Sequence, residues 1–265
     1  VQDNNTSNDL GNYLRTHREA AGLTIRHLAS IIGVDHGYLV RLERGQKTTT
    51  GAILTQTRKL SPKRAQTYGE SLTVAKLQAL TARKLLGMST ASKASLEWIL
   101  NLPRVRVQLL PAHKIQEITG GDASGFTTKT PDGHYLIAVN KNSSHTHRRF
   151  TLAHEVKHLI DYPYARILHA KLGLGNTERQ EHQIERICDH FAAHFLVPST
   201  LLKQAWARGI QDVSALAALF TVSTETMHIR LENEGFLDTD PRPIATYFRR
   251  STLLLQTRTT YAAAY

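Results

Sequence analysis

The sequence predicts an α+β fold: an all-α N-terminal part, a small sheet, two amphipathic helices rich in His and acidic residues, and a C-terminal helical segment. Three observations carry that reading. Apolar residues recur at helical spacing within residues 8–44, period-two runs occupy residues 104–142, and helical stripes return at 152–160 and 184–196. At 265 residues the chain is long enough for two or three small domains, each with its own core.

Residues 8–44 read as three short helices. Leu10 and Leu14 begin the first, which closes near Ala21-Gly22. Thr24 caps a second carrying Ile25, Leu28, Ala29 and Ile32. Gly33 makes the turn, and Asp35 caps a third with Leu39 and Leu42 inside. Ala29, Gly33 and Leu39 keep helix-turn-helix spacing: a small residue for close approach, a turn glycine and an apolar anchor. Residues 47–71 follow, rich in Thr and Ser, with Arg58-Lys59 and Ser61-Pro62-Lys63-Arg64. They are expected to form a mobile basic insert without secondary structure. Between 104 and 142 the runs RVRVQLLP, IQEITG and HYLIAVN, with turns at Gly120-Gly121 and Pro131-Asp132-Gly133, predict a small, mostly antiparallel sheet.

His154-Glu155-Val156-Lys157-His158 follows the sheet. On a helix, i and i+4 share a face, so both imidazoles can reach one Zn²⁺, with the intervening Glu beside its water. Leu152, Val156, Leu159 and Ile160 make a core stripe that leaves His154, Glu155 and His158 free to face a cleft. Thr151 is expected in the first turn, and Tyr162-Pro163 ends the helix. A third ligand is not the His of HExxHxxGxxH, because Asp161 and Tyr164 stand at the Gly and His positions.

A second helix over 181–197 offers it. Ile184, Ile187, Cys188, Phe191, Ala192, Phe195 and Leu196 form its apolar stripe, and Glu181, Glu185 and Asp189 an acidic ridge. Glu185 is the central candidate for the metal, and Asp189 can accept the N–H of a liganding imidazole. Cys188, the chain's one cysteine, reads as a buried small hydrophobe. Residues 199–236 again have helix-turn-helix character, suited to packing or partner binding, and the tail 237–265 has no readable role.

Net charge is +11, distributed as +3 over residues 1–60, +6 over 61–120, +1 over 121–200 and +1 over 201–265. A basic N-terminal half joined to a near-neutral half suits a polyanion-binding module beside an enzyme. A single cysteine excludes an internal disulfide framework. The polar start lacks a signal-peptide apolar region, and no apolar run nears membrane-spanning length, so a cytoplasmic protein without membrane contact is expected.

Two resemblances sharpen these expectations. Arg149-Phe-Thr-Leu-Ala-His-Glu-Val-Lys-His158 and Glu185-Arg-Ile-Cys-Asp-His-Phe-Ala-Ala-His-Phe-Leu-Val-Pro198 resemble the ImmA/IrrE family of zinc metallopeptidases. The resemblance implies a gluzincin-like core over 101–198, Zn²⁺ on His154, His158 and Glu185, and Glu155 as catalytic carboxylate. Lys157 stands where the family usually has Gly, and Asp189 where Asn is usual. LRTHREAAGLTIRHLASIIGVDHGYLVRLERG resembles the XRE/Cro-type helix-turn-helix family, and 73–89 its fourth and fifth helices, which puts that domain at 8–100. By that resemblance His36, Tyr38 and Arg41 lie nearest DNA, with Arg26, Arg41, Arg44 and Lys47 on phosphates.

The expectation is therefore a DNA-binding zinc metallopeptidase. The family resemblance implies a narrow protein substrate, typically a transcriptional repressor of stress or mobile-element genes. An oxyanion donor is expected from Tyr162, His190 or His194. The rival is a non-proteolytic DNA-binding regulator, or an antitoxin-like protein, with a structural or sensory zinc site.

Overall fold

The structure is a computed structural model that describes residues 15–32, 36–44, 50–61 and 63–237. The N-terminal helices are α1 (described over residues 15–20), α2 (Ile25–Ile32) and α3 (His36–Glu43). Thr24 Oγ1 accepts the His27 N–H at 3.1 Å, as its capping role requires. Ala29 and Leu39 are buried between α2 and α3. Arg18 clamps the group: its guanidinium donates to Glu43 Oε1 at 2.6 Å and to the Leu23 carbonyl at 2.9 Å. Leu10, Leu14, Gly33, Asp35 and Lys47 lie outside the described residues, as do the side chains of Tyr38 and Leu42.

The insert is not structureless. Thr50–Arg58 forms α4, with Ile53, Leu54 and Thr57 buried against α5 (Tyr68–Leu85). The Thr- and Arg-rich composition hides a short apolar face that pays for ordering the segment. Arg58 donates to the carbonyls of Leu159 and Ile160 at 2.8 and 3.1 Å, a guanidinium placed on the last turn of α7 (His145–Asp161). A capping box opens α5, with Thr67 and Glu70 each satisfying the other's backbone N–H. Here 73–89 is one helix ending at Leu85, not two.

The sheet has order β1-β3-β2, with β1 (Val105–Leu110), β2 (Gly125–Lys129) and β3 (Tyr135–Asn140). β1 pairs with β3 in parallel and β2 with β3 antiparallel, so half of the pairing departs from the mostly antiparallel expectation. The reason is that IQEITG is not a strand. Ala112–Thr119 forms α6, capped by Gly120 at φ 71°, with Ile115 fully buried, and it serves as the crossover between parallel strands. Strand alternation sorts the core: Ile137 and Val139 join the main cluster, while Ala138 joins Ile115, Ala123 and Phe126 under α6.

α7 begins at His145 behind a Ser144 cap, so Thr151 sits in its second turn rather than its first. Tyr162–Tyr164 continues as a 3-10 turn containing Pro163, then a short helix α8 (Ala165–Leu168). α9 (Thr177–Leu196) packs between α7 and α5. Its Phe191, Ala192, Phe195 and Leu196 belong to a core that also takes Ile53, Leu54, Ala75 and Ala79 from the N-terminal side. Arg83, almost fully buried on α5, donates to the carbonyls of Phe195 at 2.7 Å and Met88 at 2.8 Å, and to that of Ala91. The core therefore runs across the expected division at residue 100. α10 (Ser199–Ala207), α11 (Val213–Phe220) and α12 (Thr224–Asn233) close it with Leu216, Phe220, Met227 and Leu231. Among the described residues no helix is long and apolar enough to cross a membrane.

Candidate metal centre

The crossing of α7 and α9 brings His154, His158 and Glu185 together. One turn apart on α7, His154 Nε2 and His158 Nε2 face each other at 3.1 Å. Glu185 Oε2 lies 3.3 Å from His154 Nε2, and Oε1 lies 3.5 Å from His158 Nε2. A tetrahedral zinc with bonds of about 2.0 Å needs its donor atoms about 3.3 Å apart. The pairwise separations are close to that spacing, with each imidazole meeting a different oxygen of the Glu185 carboxylate. Both carboxylate oxygens of Glu185 are buried and accept no hydrogen bond, so the contacts are those of atoms facing a common point. Two imidazoles and one carboxylate are a donor set that suits zinc.

The other atoms around this group hold it in place. Asp189 Oδ1 meets His154 Nδ1 at 2.8 Å, which orients the ring with Nε2 toward Glu185. Burial pulls the His154 pKa down, but the carboxylates of Asp189 and Glu185 overcome it and hold the value well above the ordinary range. Burial and then the neighbouring His154 push His158 well below its ordinary range. Burial pushes the Glu185 carboxyl up to about 7, against the pull of His154, and the nearby charges of Glu155 and Asp189 add to the rise. The centre is thus a buried cluster in which protons are shared unevenly among ligand-type groups, a charge distribution that a divalent cation relieves.

Glu155 lies on α7 beside the pair. Thr127 Oγ1 on β2 donates to Glu155 Oε2 at 2.8 Å and fixes its carboxylate. Gly125 permits that contact: a Cβ there would stand 2.6 Å from the Ala138 carbonyl and from Thr151 Cγ2. Neither residue was visible in the sequence, because GFTTK shows no apolar alternation. Lys157 is buried and bridges both oxygens of Asp161, whose carboxyl also meets His169 at 3.4 Å. That carboxyl is held down at about 2: burial opposes the shift, and Lys157 and His169 outweigh it. The Lys157 charge is neutralised inside the helix and does not reach the imidazoles as a free ammonium.

Cys188 is the competing donor. Its Sγ lies 3.6 Å from His158 Nδ1, and His154, His158 and Cys188 together could hold an ion. The thiol is on the far ring nitrogen of His158, whereas the facing pair is Nε2 with Nε2. One imidazole binds one metal through one nitrogen, so the two sets exclude each other, and Glu185 contacts both histidines where Cys188 contacts one.

The face carrying the pair is closed over. His154, Glu155 and His158 are 3%, 1% and 4% exposed, because α9 packs across the face that α7 leaves polar. Two oxyanion candidates also move away. His190 and His194 lie roughly 140° and 180° round α9 from Glu185, and their rings pack together at 4.4 Å on the side facing α5 and α12. They cannot reach a group held between α7 and α9. Tyr162 follows α7 and packs its ring edge-on against Tyr135 at 5.0 Å. In the N-terminal part Arg26, His36 and Arg44 are exposed and Arg41 is half-buried, while the Tyr38 side chain and Lys47 lie outside the described residues.

Residues 110–232 match the family model of the IrrE N-terminal-like domain, and residues 9–56 that of a helix-turn-helix domain. The first range contains the whole cluster; the second takes in most of α4. A transcriptional regulator of Mycobacterium tuberculosis is similar in structure at 18% identity and a TM-score of 0.47, over 72% of this chain. The chain spans about half (53%) of that protein's length. No curated protein matches the sequence.

Proposed function

We propose that this chain, which carries a helix-turn-helix domain and an IrrE N-terminal-like domain of the ImmA/IrrE type, is a DNA-binding zinc metallopeptidase. The observation that carries the reading is the convergence of His154, His158 and Glu185, whose donor atoms approach pairwise at 3.1, 3.3 and 3.5 Å. Bound there, zinc supplies Lewis acidity toward a peptide carbonyl and toward water. Asp189 fixes the His154 ring. Glu155, steadied by Thr127, takes the proton of the attacking water and returns it to the leaving amine. Tyr162 remains the candidate oxyanion donor. The substrate class is a protein, by family type a transcriptional repressor. Exposed Arg26, His36 and Arg44 with half-buried Arg41 would hold the chain at that repressor's operator.

Co-expression with repressors encoded at the same locus tests this reading. Wild type should shorten one of them, and Glu155→Gln should leave it whole while retaining zinc. Cleavage that survives Glu155→Gln overturns the assignment. The near-complete burial of His154, Glu155 and His158 favours a second reading, a regulator whose zinc is structural or sensory. Zinc retention with no cleavage of any repressor by wild type would select it.

A further inference from the structure

The face of α9 turned away from the cluster borders a cavity of about 720 Å³ between α5, α9 and α12. Its polar lining is cationic. Lys76 comes from α5, Arg186, His190 and His194 from α9, and Arg230 from α12, with Glu234 as the carboxylate. Glu234 is already engaged by Arg230 at 2.9 Å, Lys203 at 3.3 Å and the Ser199 hydroxyl. Among the described residues Lys76 and Arg186 form no ion pair, so about two positive charges face the space uncompensated. His194 and Arg230 are 3% and 2% exposed, and His194 Nδ1 and Arg230 Nε have no hydrogen-bond partner. Buried nitrogens left so are costly unless a ligand or ordered solvent meets the cluster.

We propose that this cavity binds a small phosphorylated molecule, with its phosphate among Lys76, Arg186 and Arg230 and its remainder against Tyr68 and Leu72. A phosphate monoester is a dianion near neutral pH, which matches the excess charge, and guanidinium forks suit its oxygens. The volume exceeds what one phosphate fills and lies in the range of small-molecule sites. Tyr68 and Leu72 supply an apolar wall on α5. Without an anion the imidazoles are kept neutral: burial, then Arg230 and Lys76, push His190 down to about 4. Burial, Arg230, His190 and Lys76 push His194 to about 2. A bound dianion reverses the cationic part of that pressure.

Calorimetry on the full chain, with inorganic phosphate and phenyl phosphate at constant ionic strength, tests the site. Phenyl phosphate should bind once per chain and more tightly than phosphate. The double variant Lys76→Met, Arg186→Met should weaken both by about tenfold or more at unchanged zinc content, because among the described residues neither side chain is in an ion pair. The ring signals of His190 and His194, assigned with His190→Asn and His194→Asn, should move on addition of either compound. No binding up to about 10 mM, unchanged affinity in the double variant, or phenyl phosphate no tighter than phosphate overturns the proposal.

Discussion

The two faces of α9 bury histidines to a similar degree, yet His154 on one and His194 on the other are shifted in opposite directions. Toward α7, His154 is packed against Glu185 and Asp189, and its pKa rises well above the ordinary range despite burial. Toward α5 and α12, His194 is packed with Arg230, Lys76 and His190, and its pKa falls to about 2. Burial alone lowers an imidazole pKa in both places; the neighbours decide the sign. One helix thus separates a face with surplus carboxylate, suited to a cation, from a face with surplus cation, suited to an anion.

The largest way to break the contrast is Glu185→Ala, which removes the carboxylate common to both imidazoles. Zinc affinity should fall by more than about 100-fold, since loss of an outer partner alone costs about 10–100-fold. Asp189→Ala, the outer partner, should fall within that lower range, and Asp189→Asn less, because it keeps an acceptor for His154 Nδ1; equilibrium competition with a chelator measures all three. Equal losses in the two Asp189 variants would remove its orienting role.

On the cationic face the expected signature is a pH dependence. His190 and His194 bind protons more readily unfolded, near pH 6.5, than folded, at about 4 and about 2. Their contribution to stability is therefore complete above about pH 6.5 and is lost as pH falls toward those folded values. Each can add a slope of up to about 1.4 kcal/mol per pH unit in that window. Urea unfolding of His194→Asn between pH 4 and 7 should show a shallower loss than wild type. An unchanged slope would mean that His194 titrates normally. The smallest effect should come from Thr127→Val. Loss of its hydrogen bond to Glu155 should cut turnover by about tenfold, with zinc content and KM unchanged, in a cleavage assay on an identified substrate.

The face of this contrast that gathers His154, His158 and Glu185 was legible in the sequence, and the cationic face was not. HExxH and the stripe of 184–196 each repeat at helical spacing, and a helix rigidly converts spacing into a shared face. Glu185 and Asp189 followed from that geometry. His190 and His194 lie near Glu185 in sequence, but their angle around the helix turns them to the opposite face. The cationic face depends on Lys76 and Arg230, more than 100 residues apart in the chain, and no local pattern links them. Gly125 and Thr127 escaped for the same reason: a short strand becomes informative only once β2 is laid against α7. In α4 and α6, composition misled. Thr and Arg concealed the buried Ile53 and Leu54, and in IQEITG only two isoleucines, at the helical spacing i, i+3, marked the segment as other than a strand.

Metal content of purified wild type, Glu185→Ala and Cys188→Ser, measured by elemental analysis at equal protein concentration, tests the centre most directly. With His154, His158 and Glu185 as the ligands, wild type and Cys188→Ser each carry one zinc per chain and Glu185→Ala carries none. Zinc kept by Glu185→Ala and lost by Cys188→Ser would place the metal on the other nitrogen of His158 and contradict the account.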